Sequence, residues 1–214
     1  MTARCGSLLL AVVVLAGTAF PSFAVGTDAA RDLLTAVARN TRHIRTLSAD
    51  FRQEKTLSFL ESPLVSEGHL CLVRTQSAEE PQVLWEYVTP VASGFLYENG
   101  RGYLWMKERA AKRPVSGQEG VILKAMTSHI LAWIDVEPER LARLYTMERP
   151  DARVPMLRLT PRQKGAFFTT LEVAFAPDLR TVRSLTFVEQ GGDTTRLIFA
   201  SVGLDAPLPA YCRP

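Results

Sequence analysis

The run Gly94-Phe95-Leu96-Tyr97-Glu98-Asn99-Gly100-Arg101-Gly102-Tyr103-Leu104-Trp105-Met106-Lys107 decides how this chain is built. Asn99-Gly100 tolerates the positive φ angles of a type I′ turn, whose twist matches that of the strands it joins. Gly94 to Glu98 and Arg101 to Lys107 therefore read as the two arms of a β-hairpin. On the N-terminal side the period of two persists. Leu47, Ala49 and Phe51 alternate with Ser48, Asp50 and Arg52. Gly68 opens a second strand with Leu70 and Leu72 on one face, and Gln82 to Val88 sets Val83, Trp85 and Tyr87 on one side. Towards the C-terminus, strands return at Met156 to Thr160, Phe168 to Phe175, Val182 to Glu189 and Thr195 to Val202. Pro177-Asp178 and Gly191-Gly192-Asp193 supply the turns. Consecutive strands joined by tight turns predict an antiparallel meander.

Helical spacing occupies what lies between and before. Thr27 suits a cap and Asp28 a first turn, after which Ala30, Leu33, Leu34, Val37, Thr41 and Ile44 recur as one apolar stripe, with Arg31, Arg39 and Arg42 on the wet side. After a loop at Val115 to Gly120, the segment Val121 to Ile134 is apolar around most of its circumference, so it must be buried on more than one side. Glu137-Pro138-Glu139 starts a short helix that carries Leu141, Leu144 and Tyr145. One sheet face thus needs a cover and two helices can supply it. Periodicity favours a packed core, and leaves open a sheet curled around a cavity with the apolar helix as its lid.

The first residues predict the compartment. Arg4 gives a positive start, Leu8 to Ala16 is an unbroken apolar run, and Ser22-Phe23-Ala24 fits a signal-peptidase site, so cleavage is expected after Ala24. The run is short for a membrane span of about 20 residues. No cysteine follows Leu15-Ala16-Gly17, so lipidation of this chain is not expected, and the remainder reads as one soluble domain over 25–214. Cys71 and Cys212 are left after cleavage. An oxidising compartment permits a disulfide between them, and two separate buried thiols are the other reading.

Composition narrows the chemistry. The chain has 214 residues, 47% of them hydrophobic, and a net charge of +3 without a long basic block, so no nucleic-acid footprint is present. The sequence has no G-x-S-x-G, S-x-x-K, H-E-x-x-H or C-x-x-C motif and no phosphate loop. His43, His69 and His129 are dispersed, so no metal site is expected. Nothing pairs any two of Glu61, Glu67, Glu98 and Glu108. No catalytic residue and no cofactor are assigned, and an enzyme is not expected.

Several short motifs, in order, resemble one family. They are Ala49-Asp50-Phe51-Arg52-Gln53, Gly68-His69-Leu70-Cys71-Leu72-Val73-Arg74, Trp85-Glu86-Tyr87 with Thr89-Pro90, and Glu98-Asn99-Gly100 with Tyr103-Leu104-Trp105. Their order and spacing are similar to those of the LolA family, the periplasmic carriers of outer-membrane lipoproteins. The resemblance is clearest from Leu47 to Trp105. It implies a mostly β fold with helices, an incomplete antiparallel β-barrel closed by a helical lid around an apolar cavity for acyl chains. The cavity residues expected are Phe51, Leu70, Leu72, Val83 and Trp85 from the sheet, and Met126, Ile130 and Trp133 from the lid. It also implies that Arg74 latches the lid by hydrogen bonds. Thr75 stands where the family usually has proline, Gln76 to Pro81 are extra, and Cys71 replaces an aromatic residue, which points to a diverged member.

The implied function is that of a monomeric periplasmic carrier. It takes an acylated lipoprotein or another lipid as cargo from an inner-membrane releasing complex and passes it to an outer-membrane acceptor, with transient membrane contact. A lipid-sensing regulatory module on a similar half-barrel is the alternative, and a periplasmic hydrolase a more distant one.

Overall fold

The computed structural model describes residues 27–74, 81–134, 137–163, 166 and 168–213; the expected signal peptide lies outside them. In chain order the elements are α1 (Thr27–Thr41), β1 (Thr46–Thr56), β2 (Leu64–Val73), β3 (Gln82–Thr89), β4 (Ser93–Glu98), β5 (Arg101–Met106), β6 (Arg113–Pro114), α2 (Gly117–Ile134), α3 (Pro138–Leu144), β7 (Tyr145–Glu148), β8 (Met156–Pro161), β9 (Phe168–Phe175), β10 (Val182–Glu189) and β11 (Thr194–Leu204). Asn99 and Gly100 adopt φ of 50° and 73°, so β4 and β5 form the hairpin that this dipeptide predicts.

The strands make one antiparallel sheet in the order β6-β5-β4-β3-β2-β1-β11-β10-β9-β8-β7. Two meanders, β1 to β6 and β7 to β11, are stitched along the long pair β1/β11, where Phe51 faces Phe199 and Lys55 faces Thr195. The outer strands β6 and β7 do not pair with each other, so the barrel is incomplete. The chain crosses between those two edges through α2 and α3. Helix α1 packs on β7 and α3, and α2 packs on β4 and β5. This is a curled half-barrel with helices across its opening.

Glycines mark two close approaches. A Cβ on Gly68 would lie 1.9 Å from the Glu86 carbonyl oxygen and 2.6 Å from the Phe51 ring, so only glycine lets β2 pass between them. A Cβ on Gly102 would lie 2.4 Å from a Leu123 methyl, which fixes where α2 settles on β5.

Three expectations are corrected. The apolar stripe of the first helix was expected to run to Ile44, but α1 ends at Thr41 and Ile44 is buried beyond it. The Arg45 and Thr46 amides donate to Asp205 Oδ1 at 2.8 and 3.0 Å, which draws the chain straight into β1. Tyr145, expected in the third helix, instead opens β7, where Tyr145 and Met147 are buried and Thr146 and Glu148 exposed. A four-residue strand is too short to show its period against the helical spacing just before it. The sheet was expected to bury one face, yet β2, β3 and β4 each bury consecutive residues. Cys71, Leu84, Leu96 and Trp105 form a second apolar cluster on the outer face, covered by Leu208, Tyr211 and Cys212 of the C-terminal tail.

Candidate functional site

Inside the curl lies a cavity of about 1150 Å³, above the usual range of roughly 300–1,000 Å³ for small-molecule sites. One wall is a cross-strand row, Leu104, Phe95, Trp85, Leu70 and Ala49, on β5 to β1. The opposite wall comes from the second meander, with Phe168, Leu171, Phe175, Leu185, Phe187 and Leu197. Val37 and Ile44 close the end beside α1. Aromatic rings brace both walls. Phe51 stacks on Trp85 at 4.3 Å and meets Tyr87 edge-on at 5.3 Å, while Phe168 meets Phe187 edge-on at 5.6 Å.

Polar groups gather at the end away from α1. The Tyr87 hydroxyl donates to Gln53 Oε1 at 2.9 Å, Lys55 Nζ lies 3.1 Å from Glu189 Oε1, and the Thr195 hydroxyl donates to the same carboxylate at 3.1 Å. Burial pushes the Tyr87 and Tyr145 phenols above their ordinary values, so both stay protonated donors at neutral pH. Lys55 and Glu189 are 35% and 28% exposed, so this end communicates with water. Around it stand bare apolar side chains: Phe59 (77% exposed) and Val91 in the turns, Leu64 at the start of β2 and Met106 (68%) at the end of β5.

Of the expected cavity residues, Leu70 and Trp85 line the space. Phe51, Leu72 and Val83 are instead buried in the core behind the lining, Phe51 as the ring on which Trp85 rests. The side chains of Met126, Ile130 and Trp133 lie outside the described residues, although α2 carries all three. Arg74 follows the last residue of β2, is half-buried, and donates its backbone N–H to the Arg45 carbonyl at 2.8 Å. The lining from β9, β10 and β11 was not assigned from sequence. Alternation at Leu171, Val173 and Phe175 pointed inward, but no family motif marks those strands.

The outer face is a separate construction. Cys71 and Cys212 form a disulfide with Cα atoms 5.6 Å apart. Next to it Tyr211 stacks on His69 at 3.9 Å, and His69 Nδ1 lies 2.9 Å from Asp50 Oδ1. Arg109 pairs with Glu86 and donates to the carbonyls of Tyr211 and Arg213 at 2.7 and 3.1 Å. Asp50, His69 and Glu86 are one cross-strand row on the side of the sheet opposite Ala49, Leu70 and Trp85, so this network belongs to the tail and not to the cavity. Among the described residues no group of His, Cys, Asp and Glu is placed to hold a metal ion.

The comparisons with known proteins agree with this geometry. A family model described as Outer membrane lipoprotein carrier protein LolA matches residues 42–211. No curated protein matches the chain. Among solved structures it is similar to MucB, with 17% identity and a TM-score of 0.53 over 88% of this chain and 64% of that one. It is similar to a chain of the Pseudomonas aeruginosa MucA/MucB complex at 15% identity and a TM-score of 0.50, over 87% of this chain and 61% of that one. It is also similar to the Mycobacterium tuberculosis lipoprotein LppX, at 10% identity and a TM-score of 0.47, over 86% and 99%. The chain thus spans less than two thirds of the MucB-containing chains, and at these identities the likeness is one of fold. With the family model covering most of its length, the chain belongs to the LolA family of outer membrane lipoprotein carrier proteins.

Proposed function

We propose that this protein binds acyl chains of a lipoprotein or related lipid in its apolar cavity and shuttles them from the inner to the outer membrane through the periplasm. The observation that carries the reading is the cavity itself, about 1150 Å³ between two aromatic-braced apolar walls. Taking a methylene as about water-sized, roughly 30 Å³, it accommodates on the order of 40 methylenes, or two long acyl chains. An exposed methylene costs about 0.8 kcal/mol, so a chain of roughly 16 carbons faces about 13 kcal/mol in bare water. A cavity that replaces most of that burial lets loading and release both run near balance, with no bond made or broken.

The exposed rim of Phe59, Leu64, Val91 and Met106 supports contact with a bilayer beside the polar end of the cavity. Arg74 is the proposed lid latch. It shares strand parity with Leu70 and Leu72 and is half-buried at the end of β2. Arg74→Leu is expected to load lipid normally and release it slowly; unchanged release kinetics would remove the latch.

The test is transfer of a labelled acyl lipid between donor and acceptor vesicles. Purified protein should raise the transfer rate in proportion to its concentration, and Trp85→Glu, which puts a charge on the cavity wall, should abolish the effect. Equal activity of Trp85→Glu would defeat the cavity assignment. A second reading, a lipid-binding module that engages a protein partner, is supported by the likeness to MucB, which has been solved together with MucA. Such a module would bind the lipid without transferring it.

A further inference from the structure

We infer that the polar end of the cavity selects a two-chain lipid whose head group carries no net charge. The inference rests on the proposed acyl-chain cavity and adds the chemistry of the head. Five side chains edge that end in one continuous arc over β3, β1, β11 and β10: Tyr87, Gln53, Lys55, Thr195 and Glu189. Lys55 and Thr195 face each other across β1 and β11, and Phe187 follows on β10, so the arc sits directly over the apolar wall. A lipid with its chains on Phe187, Leu197 and Trp85 presents its head to this arc.

Charge balance supplies the selectivity. Among the described residues, three charged side chains of the cavity lining, Lys55, Glu189 and Arg113, each stand in an ion pair. Lys55 lies 3.1 Å from Glu189. Arg113 holds Glu119 through two bonds of 2.8 Å. An anionic head would therefore meet the Glu189 carboxylate together with Lys55, and would gain one attraction at the cost of one repulsion in a partly desolvated setting. A zwitterionic head can lie antiparallel to the Lys55–Glu189 pair, phosphate towards Nζ and ammonium towards the carboxylate. An uncharged glycerol or amide head leaves the pair intact and finds donors and acceptors on Gln53, Tyr87 and Thr195.

Four probes with identical acyl chains test this against the full mature protein: phosphatidylethanolamine, diacylglycerol, a diacylated lipopeptide of zero net charge, and phosphatidylglycerol. The three net-neutral probes should bind tighter than phosphatidylglycerol, by up to about fivefold, the size of an exposed charge interaction. Their order among themselves separates a phospholipid source from a lipoprotein-like one. Glu189→Gln leaves Lys55 without its counter-charge and should raise phosphatidylglycerol affinity about fivefold, while Lys55→Gln should lower it by a similar factor. Thermal melts like those of the parent show that both variants are folded, and the readout is the ratio of phosphatidylglycerol to diacylglycerol affinity, which should rise in Glu189→Gln and fall in Lys55→Gln; an unchanged ratio in both overturns the inference. Equal affinity for all four probes, or preference for phosphatidylglycerol in the parent, overturns the inference and leaves the cavity standing. Failure of every probe to bind overturns both.

Discussion

Removing the Cys71–Cys212 disulfide separates what the tail does for stability from what the cavity does for function. The bond joins residues 141 apart in sequence, from β2 to the C-terminal tail. In the chain-entropy model a loop of that length confines the unfolded state by about 5 kcal/mol. The native state has other holds on the tail, namely the Tyr211–His69 stack and the Arg109 bonds to the carbonyls of Tyr211 and Arg213. The Cys71→Ala/Cys212→Ala protein should therefore keep its fold and lose about 3–5 kcal/mol. At about 2–4 °C per kcal/mol for a domain of this size, its melting temperature should fall by roughly 6–20 °C. Urea and thermal melts of the variant, and of parent protein under reductant, measure this. Cys71 points away from the cavity while Leu70 and Leu72 point inward, so the folded variant should bind acyl lipid with unchanged affinity. A loss under about 1 kcal/mol would refute the constraint argument. Loss of lipid binding by folded protein would refute the assignment of the two faces.

Three further outcomes are expected. Gly68→Ala drives a methyl into the Glu86 carbonyl and the Phe51 ring, and should cost more than about 3 kcal/mol or prevent folding; near-parent stability in a urea melt would contradict the packing described. Backbone amides of Thr46 and Arg45 hold the Asp205 carboxyl below its ordinary range, so its contribution to stability is complete above the unfolded value of about 3.9 and fades as pH falls towards the lower folded value. Stability of the parent should drop more steeply than that of Asp205→Asn across that acid window, and parallel pH profiles would count against the tether between β1 and the end of β11. Phe59→Ser combined with Met106→Ser removes the two most exposed apolar groups of the rim. This should slow loading from vesicles several-fold while affinity for a soluble short-chain acyl probe stays the same; unchanged loading would detach the rim from membrane contact.

Local chemistry made part of this fold readable in advance. Asn99-Gly100 has one economical backbone solution, and the strands it joins appear where that solution puts them. Strands β9 and β10 also have the predicted limits, because alternation and flanking turns coincide there. Strand β7 was hidden because Tyr145 continues the apolar spacing of α3, and only pairing with Pro161 and its neighbours makes it a strand. The outer apolar face was hidden for a different reason. Leu84, Leu96 and Trp105 read as ordinary mixed strand positions until the tail more than a hundred residues later covers them. At the site, Leu70 and Trp85 were recognisable from alternation and family motif together. Phe168, Phe187 and Leu197 were not, since their place in the cavity depends on the β1/β11 seam that brings the two meanders face to face. The polar arc has the same origin: Lys55 and Glu189 are far apart in sequence and meet only through that seam.

Photo-crosslinking with an acyl lipid that carries a diazirine near its chain terminus tests the central claim most directly. Mass spectrometry of the labelled peptides locates the chain. The account predicts adducts on the inward residues of both meanders, Leu70 and Trp85 on one side and Phe168, Phe187 and Leu197 on the other, with competition by unlabelled lipid. Adducts confined to the outer face around Leu84, Leu96 and Tyr211, or labelling that unlabelled lipid does not displace, would contradict it.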